Sequence, residues 1–182
     1  MMMGFSIILA CTLDGGIGID NTIPWHIKED MMLFKKITEE TSCYYKKNAI
    51  IMGRKTWESL PVKPLPNRIN IIVTSRDKDF SSNLNANPNV IFVNNLENAF
   101  YECEKSVNID KIFVIGGKSL YDLCLNNDKY STWINEIHLS VLKKKYECDT
   151  HINLKELIRK YKNYNIHDIN FHTDFIYLKF IH

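Results

Sequence analysis

The pattern of apolar and polar positions predicts strands that alternate with helices through the first two-thirds of the chain. Five short apolar runs, typical of strands covered on both faces, lie at 5–11, 49–53, 69–74, 90–93 and 111–115. Helical patterns follow several of these runs, at 54–60, 96–104 and 119–125, and a further helix begins after Pro24. The C-terminal third predicts strands at 134–142, 164–169 and 175–181, and a short helix or turn at 156–161. The polar stretch at 77–89 is predicted to be a surface loop that ends in a turn at 87–89.

This order of elements predicts an α/β fold. Strands that alternate with helices favour a mostly parallel twisted sheet with helices on both faces. The last two strands have no helix between them long enough for a crossover, so we expect an antiparallel C-terminal edge. The sequence contains no internal repeat or linker, and we expect one domain over residues 1–182.

One predicted helix carries an acidic residue among apolar ones. Ile27, Met31 and Phe34 recur at i, i+4 and i+7, after a glycine-bearing loop that ends at Pro24 and Trp25. The acidic residue at position 30 lies within that face, where a buried carboxylate needs a partner from the protein or from a ligand. The alternative is a solvated carboxylate favoured by the helix dipole. The flexible loop just before the helix favours a ligand pocket.

Composition and charge narrow the classes of function. Hydrophobic residues make up 45% of the 182 positions and the net charge is +2, which favours neither a nucleic-acid binder nor a membrane-surface protein. No apolar run reaches the length of a transmembrane helix. The five cysteines are odd in number and form no CxxC pair, which predicts reduced thiols in the cytoplasm, without a disulfide framework or a metal site.

Three predicted strand ends carry groups that suit phosphates. The segments 53–56 (Gly-Arg-Lys-Thr) and 116–119 (Gly-Gly-Lys-Ser) place glycines, cations and hydroxyls where helices begin, and free N–H groups there favour anions. Ser75 and Arg76 follow another strand. Each segment alone is more often a simple turn, but the carboxyl ends of parallel strands share one sheet edge. Together they predict a large phosphorylated cofactor, although neither GxGxxG nor GxxxxGK[ST] is present.

Several motifs, taken together, resemble the dihydrofolate reductase family over nearly the whole chain. The most specific are Met-Gly-Arg-x-Thr-Trp-Glu-Ser at 52–59 and Pro-Trp at 24–25 followed by Asp30. The other matching segments are Ile17-Gly18 with Asn21, Pro64-Leu65-Pro66-Asn67-Arg68, Val73-Thr74-Ser75-Arg76, Val114-Ile115-Gly116-Gly117 with Tyr121, and Glu147-Cys148-Asp149-Thr150.

The resemblance implies an enzyme that transfers a hydride from NADPH to 7,8-dihydrofolate and yields tetrahydrofolate. It implies that Asp30 binds the ring nitrogen and 2-amino group of the pterin, that Trp25 holds an ordered water, and that Ser140 hydrogen-bonds the acid. Arg68 would pair with the α-carboxylate of the folate tail. The implied substrate contacts are Ile8, Leu9, Asp30, Phe34, Leu60, Leu65, Arg68, Ile115 and Tyr121.

For the cofactor, the resemblance implies that Arg54, Ser75 and Arg76 hold the adenosine 2′-phosphate, which favours NADPH over NADH. Thr56 and the turn at Gly116–Gly117, whose peptide bond is cis in the family, would contact the pyrophosphate. The implied cofactor contacts are Ala10, Ile17, Gly18, Gly53, Arg54, Lys55, Thr56, Thr74, Ser75, Arg76, Ile115, Gly116, Gly117, Lys118, Ser119, Leu120 and Tyr121.

The implied mechanism leaves the hydride to the cofactor, while the protein aligns the reactants and excludes water. No side chain suited to protonate pterin N5 directly is evident, and the family pattern implies that a water donates the proton while Asp30 polarises the ring. The loop before Pro24 would act as a lid over the nicotinamide. We also expect antifolate inhibitors to bind, and we expect a monomer without nucleic-acid or membrane partners.

The sequence departs from the family pattern at three places, and two other functions compete. Ser140 stands where the family usually has Thr, Lys118 replaces a smaller residue, and 42–47 looks like an insertion. The first alternative is a related NADPH-dependent pyrimidine reductase of riboflavin synthesis, and the acid at position 30 with the pair Leu65 and Arg68 favours folate. The second is a catalytically silent nucleotide-binding domain, which the retained Trp25 and cofactor arginines oppose. We expect no fused enzyme such as thymidylate synthase within the chain.

Overall fold

The structure is a computed structural model, and it describes residues 4–76, 87–161 and 165–182. Positions 77–86 of the predicted loop at 77–89, and position 164 of a predicted strand, lie outside the described residues. The strands are β1 (Phe5–Thr12), β2 (Gly16–Gly18), β3 (Lys47–Gly53), β4 (Arg68–Val73), β5 (Val90–Val93), β6 (Ile109–Val114), β7 (Ile134–Leu142), β8 (Thr150–His151), β9 (Asn165–Phe171) and β10 (Phe175–Ile181). The helices are α1 (Lys28–Glu39), α2 (Arg54–Ser59), α3 (Leu96–Lys105), α4 (Lys118–Asn126), α5 (Asp128–Ser131) and α6 (Leu154–Lys160).

Eight strands form the main sheet in the order β5-β4-β3-β6-β1-β7-β10-β9. The six strands from β5 to β7 pair in parallel, whereas β10 pairs antiparallel with β7 and with β9. The prediction of a mostly parallel sheet with an antiparallel C-terminal edge is therefore confirmed. In the register of β7, Ser140 lies opposite Ala10 of β1 and opposite Tyr177 of β10.

The sheet is covered on both faces, because successive side chains of its central strands point to opposite sides. Ile7 and Leu9 of β1 pack into a core with α3, α4 and α6, while Ile8 packs on the other side with Trp57 of α2 and Phe34 of α1. Helices on both faces are thus also confirmed. Among the described residues, no helix has the length and apolar content needed to cross a bilayer.

The predicted inward face of α1 is wrong at one position. Met31 is 47% exposed, so the expectation that it belongs to the buried face is wrong. Ile27 and Phe34 of the predicted face do lie inward. They are joined by Ile37 and the fully buried Thr38, so Asp30, Phe34, Ile37 and Thr38 recur at i, i+4, i+7 and i+8. The acid therefore lies on the inward stripe, as predicted, with other neighbours.

The short strands β2 and β8 and the short helix α5 were not predicted from the sequence. Strand β2 lies inside the predicted glycine loop and pairs antiparallel with β8. Its glycines have no side chains to pack, so the pairing depends on backbone hydrogen bonds with a segment far along the chain. These include bonds from the Asp149 N–H to the Gly18 carbonyl (3.0 Å) and from the Ile152 N–H to the Gly15 carbonyl (2.9 Å).

Candidate active site

A cavity of about 1230 Å³ lies at the carboxyl ends of the central parallel strands. Every predicted site residue except Gly116 lines it. Its volume exceeds the roughly 300–1,000 Å³ of an ordinary small-molecule pocket, which leaves room for two ligands side by side. The structure thus brings together residues that the sequence spreads from position 8 to position 140.

Asp30 projects into the cavity from the first turn of α1. Burial among apolar side chains raises the pKa of its carboxyl above the usual range, because the charged form loses water. The nearby hydroxyl of Ser140 and nearby His172 favour the charged form of the carboxyl, and both oppose the effect of burial on its pKa. Ser140, the predicted partner, therefore lies near Asp30 and lines the same cavity. The carboxylate can bind a flat ligand edge that presents two N–H donors.

A histidine that the sequence analysis did not single out supports this end of the cavity. His172 stacks on Phe175, with ring centroids 4.2 Å apart and planes 11° from parallel. Its Nδ1 lies 3.4 Å from Glu29, the residue before Asp30 in α1. The β9–β10 connection is thereby attached to the start of α1, next to the acid.

A second histidine, His138, is buried and forms part of the same wall. His138 contacts Tyr177 of β10 through Nδ1 (2.6 Å) and Glu136 through Nε2 (3.0 Å), and both rings line the cavity. The bond from His138, followed by one from Lys179, lowers the pKa of Glu136 to about 2. A sequence signal for His138 was available, because it precedes Ser140 by two positions on β7 and so shares its face.

Arg68 is 3% exposed at the start of β4, and its contacts hold it on the cavity wall. Its Nε donates to the Pro66 carbonyl (2.8 Å) and its Nη1 donates to the Thr38 hydroxyl (2.7 Å). Nη2 lies 3.2 Å from the Glu39 carboxylate, and the guanidinium carbon lies 5.9 Å from the centre of the Phe34 ring. Burial lowers the pKa of this guanidinium, and Glu39 opposes that effect. Arg68, the predicted tail-binding arginine, thus lines the cavity, and its guanidinium already has internal partners.

The neighbouring apolar wall is held by an amide clamp. Asn70 is fully buried, and its side chain accepts from the Leu65 N–H (2.9 Å) and donates to the Leu65 carbonyl (3.0 Å). Lys63 donates to the Glu58 carbonyl at the end of α2 (2.7 Å). The loop that carries Leu65 is therefore held firmly against α2 and β4.

At the opposite end of the cavity, two glycine turns meet. The Gly53 N–H donates to the Gly116 carbonyl (2.7 Å), and the Gly116–Gly117 peptide bond is cis, as the resemblance implies. A Cβ on Gly117 would lie 3.2 Å from the Thr56 hydroxyl, which is a tight contact. Because Gly117 has no side chain, this space stays open and a ligand can approach the backbone. Helix α4 begins at this turn without a side-chain cap, which leaves its first N–H groups available for an anion.

The cations near this turn differ in their partners. Arg54 contacts both carboxylate oxygens of Glu58 (2.5 and 2.7 Å), and Lys118 pairs with Asp122 (2.7 Å). Arg76 is exposed and has no carboxylate partner within the described ranges 4–76, 87–161 and 165–182. It is therefore the guanidinium most readily available to a phosphate. Lys118, whose effect the sequence left open, uses its charge at least in part within α4.

Tyr121 serves the fold as well as the cavity. Its buried hydroxyl donates to the Ile8 carbonyl (2.9 Å), and its ring lies where a Cβ on Gly116 would be, at 2.7 Å. A ligand contact from Tyr121 would thus come from its ring, because the hydroxyl proton is already used. Gly116 lies behind this ring, which explains why it does not line the cavity.

The described part of the chain contains no cluster of histidine, cysteine and carboxylate side chains that could hold a metal ion. The five cysteines are all free, and Cys11, Cys103 and Cys124 are buried. Burial raises the pKa of each of these three thiols to about 12, so they are unreactive at neutral pH.

Comparison with known proteins identifies relatives over nearly the whole chain. The sequence profile of the family described as "Dihydrofolate reductase" matches residues 4–178. The chain is 37% identical over 180 residues to "Dihydrofolate reductase type 8" from Escherichia coli, covering 98% of this chain and 97% of the relative. It is 36% identical over 156 residues to a "Putative dihydrofolate reductase" from Caenorhabditis elegans, covering 83% and 78%.

Some similar proteins are much longer. The chain is 40% identical over 154 residues to the "Bifunctional dihydrofolate reductase-thymidylate synthase" of Zea mays, which covers 81% of this chain but 28% of that relative. The chain is 36% identical over 155 residues to the protein of that name from Daucus carota, and the match covers 82% of this chain and 28% of that relative. The chain thus spans less than a third of the length of these bifunctional relatives.

Proposed function

The chain belongs to the dihydrofolate reductase family, and from that premise we propose that it reduces 7,8-dihydrofolate to 5,6,7,8-tetrahydrofolate with NADPH. Family membership implies a nicotinamide cofactor, and NADPH is the form that we propose. The proposal rests above all on Asp30, a carboxylate that lines the cavity among apolar side chains and lies near Ser140. A partly buried acid that has no salt bridge within the described part of the chain suits a ligand that brings its own N–H donors.

The residues at the glycine turns fit a phosphorylated cofactor. The start of α4 and the open backbone at Gly53 and Gly117 suit a pyrophosphate, because neither glycine presents a side chain. We propose that Ser75 and Arg76 hold the adenosine 2′-phosphate, with Arg54 released in part from Glu58. This arrangement favours NADPH over NADH.

When it is bound, the cofactor supplies a hydride. The chain's own residues then have three tasks, of which the first is to hold the pterin by its N–H edge against Asp30. The second is to exclude water with apolar walls that include Phe34 and Leu65, which strengthens every charge interaction inside. The third is to increase the basicity of pterin N5 through the negative charge of Asp30, while a water beside Trp25 provides the proton.

The segment 15–20 is proposed as the lid of the nicotinamide end. It is held in its present position by β8 and by the bond from the Asp20 N–H to the Asp149 carboxylate (2.9 Å). These contacts are backbone hydrogen bonds or involve exposed side chains, so they can break and re-form when ligands bind and leave. We further propose a monomeric, cytoplasmic protein whose residues 1–182 act as one reductase domain that also binds antifolates.

The experiment is a spectrophotometric assay of NADPH oxidation with 7,8-dihydrofolate, with and without methotrexate. We expect turnover that methotrexate abolishes. Asp30→Asn keeps the shape and removes the charge, and it should lower kcat/KM on the order of 100-fold or more at neutral pH. Turnover of a pyrimidine precursor of riboflavin instead of dihydrofolate would support the related reductase, and binding without turnover would support a silent nucleotide-binding domain.

A further inference from the structure

Arg68 has a carboxylate partner inside the protein. The side chain of Glu39, at the last position of α1, is 21% exposed, and its Oε1 lies 3.2 Å from Nη2 of Arg68. This oxygen is buried, yet within the described residues no hydrogen bond reaches it. The contact is therefore a charge pair that lacks good hydrogen-bond alignment.

The guanidinium keeps donors for a ligand. Arginine has five N–H groups, and here Nε, Nη1 and Nη2 each make one contact, to Pro66, Thr38 and Glu39. One N–H on each terminal nitrogen has no contact among the described residues and can donate to a carboxylate. The Thr38 hydroxyl donates to the Phe34 carbonyl (2.7 Å), so it can only accept from Arg68. The Pro66 and Thr38 contacts are neutral and therefore fix Arg68 without competing for its charge.

We propose that Glu39 is a specificity-determining residue, because its carboxylate competes with the anionic tail of a ligand for Arg68. This inference rests on the proposed function, in which the folate tail meets Arg68. A tail carboxylate that arrives must share one buried guanidinium with Glu39, and the two negative charges repel each other. The tail therefore contributes less to affinity than it would beside an unpaired arginine. The affinity of ligands without a tail is less affected by Glu39.

The test compares two ligands with the same diaminopteridine ring. Methotrexate carries a dicarboxylate tail, and 2,4-diamino-6-methylpteridine carries none. In Glu39→Gln the amide keeps the size of the side chain and removes its charge, so methotrexate should bind on the order of tenfold more tightly. The tailless ligand should bind as it does to the parent. Both dissociation constants are measured by isothermal titration with the full chain saturated with NADPH.

Glu40→Gln is the matched control, because Glu40 is the next residue, is exposed, and loses the same charge on substitution. It should change neither dissociation constant. Glu39→Asp retracts the carboxylate from Arg68 and should tighten methotrexate binding by a smaller factor than Glu39→Gln does. This second variant also tests the inference if Glu39→Gln folds poorly. Weaker or unchanged methotrexate binding in both Glu39 variants overturns the inference, since Glu39 would then only orient Arg68. Equal tightening of both ligands also overturns it.

The kinetic readout separates this inference from the proposed function. In Glu39→Gln the KM for dihydrofolate should fall and kcat should stay the same, because the tail lies away from the reacting atoms. A parent that reduces dihydrofolate while Glu39→Gln leaves the KM unchanged refutes the role of Glu39 alone. A parent that neither binds methotrexate nor reduces dihydrofolate refutes both.

Discussion

The hydroxyl of Tyr177 lies 2.6 Å from Nδ1 of His138, and this contact joins β10 to β7 within the cavity wall. Glu136 stays ionised, since its pKa is lowered to about 2, and it accepts from Nε2 of the same ring (3.0 Å). In the neutral imidazole Nδ1 must then be an acceptor, so Tyr177 donates. The chain of bonds fixes both the tautomer of His138 and the direction of the Tyr177 hydroxyl.

Tyr177→Phe should therefore lower the free energy of unfolding by about 1–3 kcal/mol, because it leaves a buried ring nitrogen without its donor. Urea unfolding followed by fluorescence measures the change. Tyr44→Phe is the control, as Tyr44 is 99% exposed and should show no effect. In a double-mutant cycle, His138→Phe should cost less in the Tyr177→Phe background than alone. Strict additivity would contradict the proposed coupling.

The burial of Asp30 makes a prediction about stability and pH. Its pKa is raised in the folded protein, so its favourable contribution is fully present below the unfolded pKa of about 3.9 and is lost as pH rises through the folded pKa. Asp30→Asn removes the cost of the buried charge. We expect the variant to unfold at a higher temperature than the parent at pH 7, and the gain to shrink in acid. Thermal unfolding from pH 3 to pH 8 measures the difference.

Asp110→Asn provides a comparison of opposite sign. Hydrogen bonds from Ser42 lower the pKa of Asp110, so the stability it contributes is present above its unfolded pKa and is lost as pH falls through the folded pKa. This variant should unfold at a lower temperature than the parent at pH 7.

For the Asp30 prediction, the contradicting outcome is an Asp30→Asn protein that is less stable than the parent at pH 7. It would show that the Asp30 carboxylate has a partner that outweighs the cost of its burial.

The choice of cofactor depends on Arg76 in our proposal. Arg76→Ala should raise the KM for NADPH about tenfold, because a charge-assisted bond to phosphate is lost, and should leave the KM for NADH unchanged. Arg159→Ala, an exposed arginine in the last turn of α6, is the control for charge alone. Steady-state kinetics with both cofactors provide the comparison. If Arg76→Ala weakened the binding of NADPH and NADH equally, Arg76 would not be the residue that binds the 2′-phosphate.

The two glycines of the cofactor turn should respond differently to a methyl group. Gly116 has φ +101°, and a Cβ there would lie 2.7 Å from the Tyr121 ring, so Gly116→Ala should cost about 2 kcal/mol or more of folding free energy. Gly117 has φ −78°, and a Cβ there would meet the Thr56 hydroxyl at 3.2 Å, a contact that a small shift relieves. Gly117→Ala should fold and lose cofactor affinity. Differential scanning calorimetry and NADPH titration test the pair, and equal stability of both variants would contradict this reasoning.

The sequence alone determined the order of strands and helices and the chemistry at their ends. Apolar runs such as 5–11 mark buried strands because parallel strands must lose water on both faces, and this is a local property. The glycines at 116–117 and the acid at position 30 were identified for the same reason, since each is unusual in its immediate context. The motifs around these positions then led to the family.

Only the tertiary structure decided which polar groups meet. The contact between Arg68 and Thr38 spans 30 residues, that between His138 and Tyr177 spans 39, and that between Asp20 and Asp149 spans 129. Such pairs leave no periodicity in the sequence, because each partner alone is an ordinary polar residue. The stripe of α1 was misplaced at Met31 for the same reason: two helical faces fit the pattern, and packing against the sheet selects one. Burial and register, which belong to the whole fold, set the charge balance around Asp30 and Arg68.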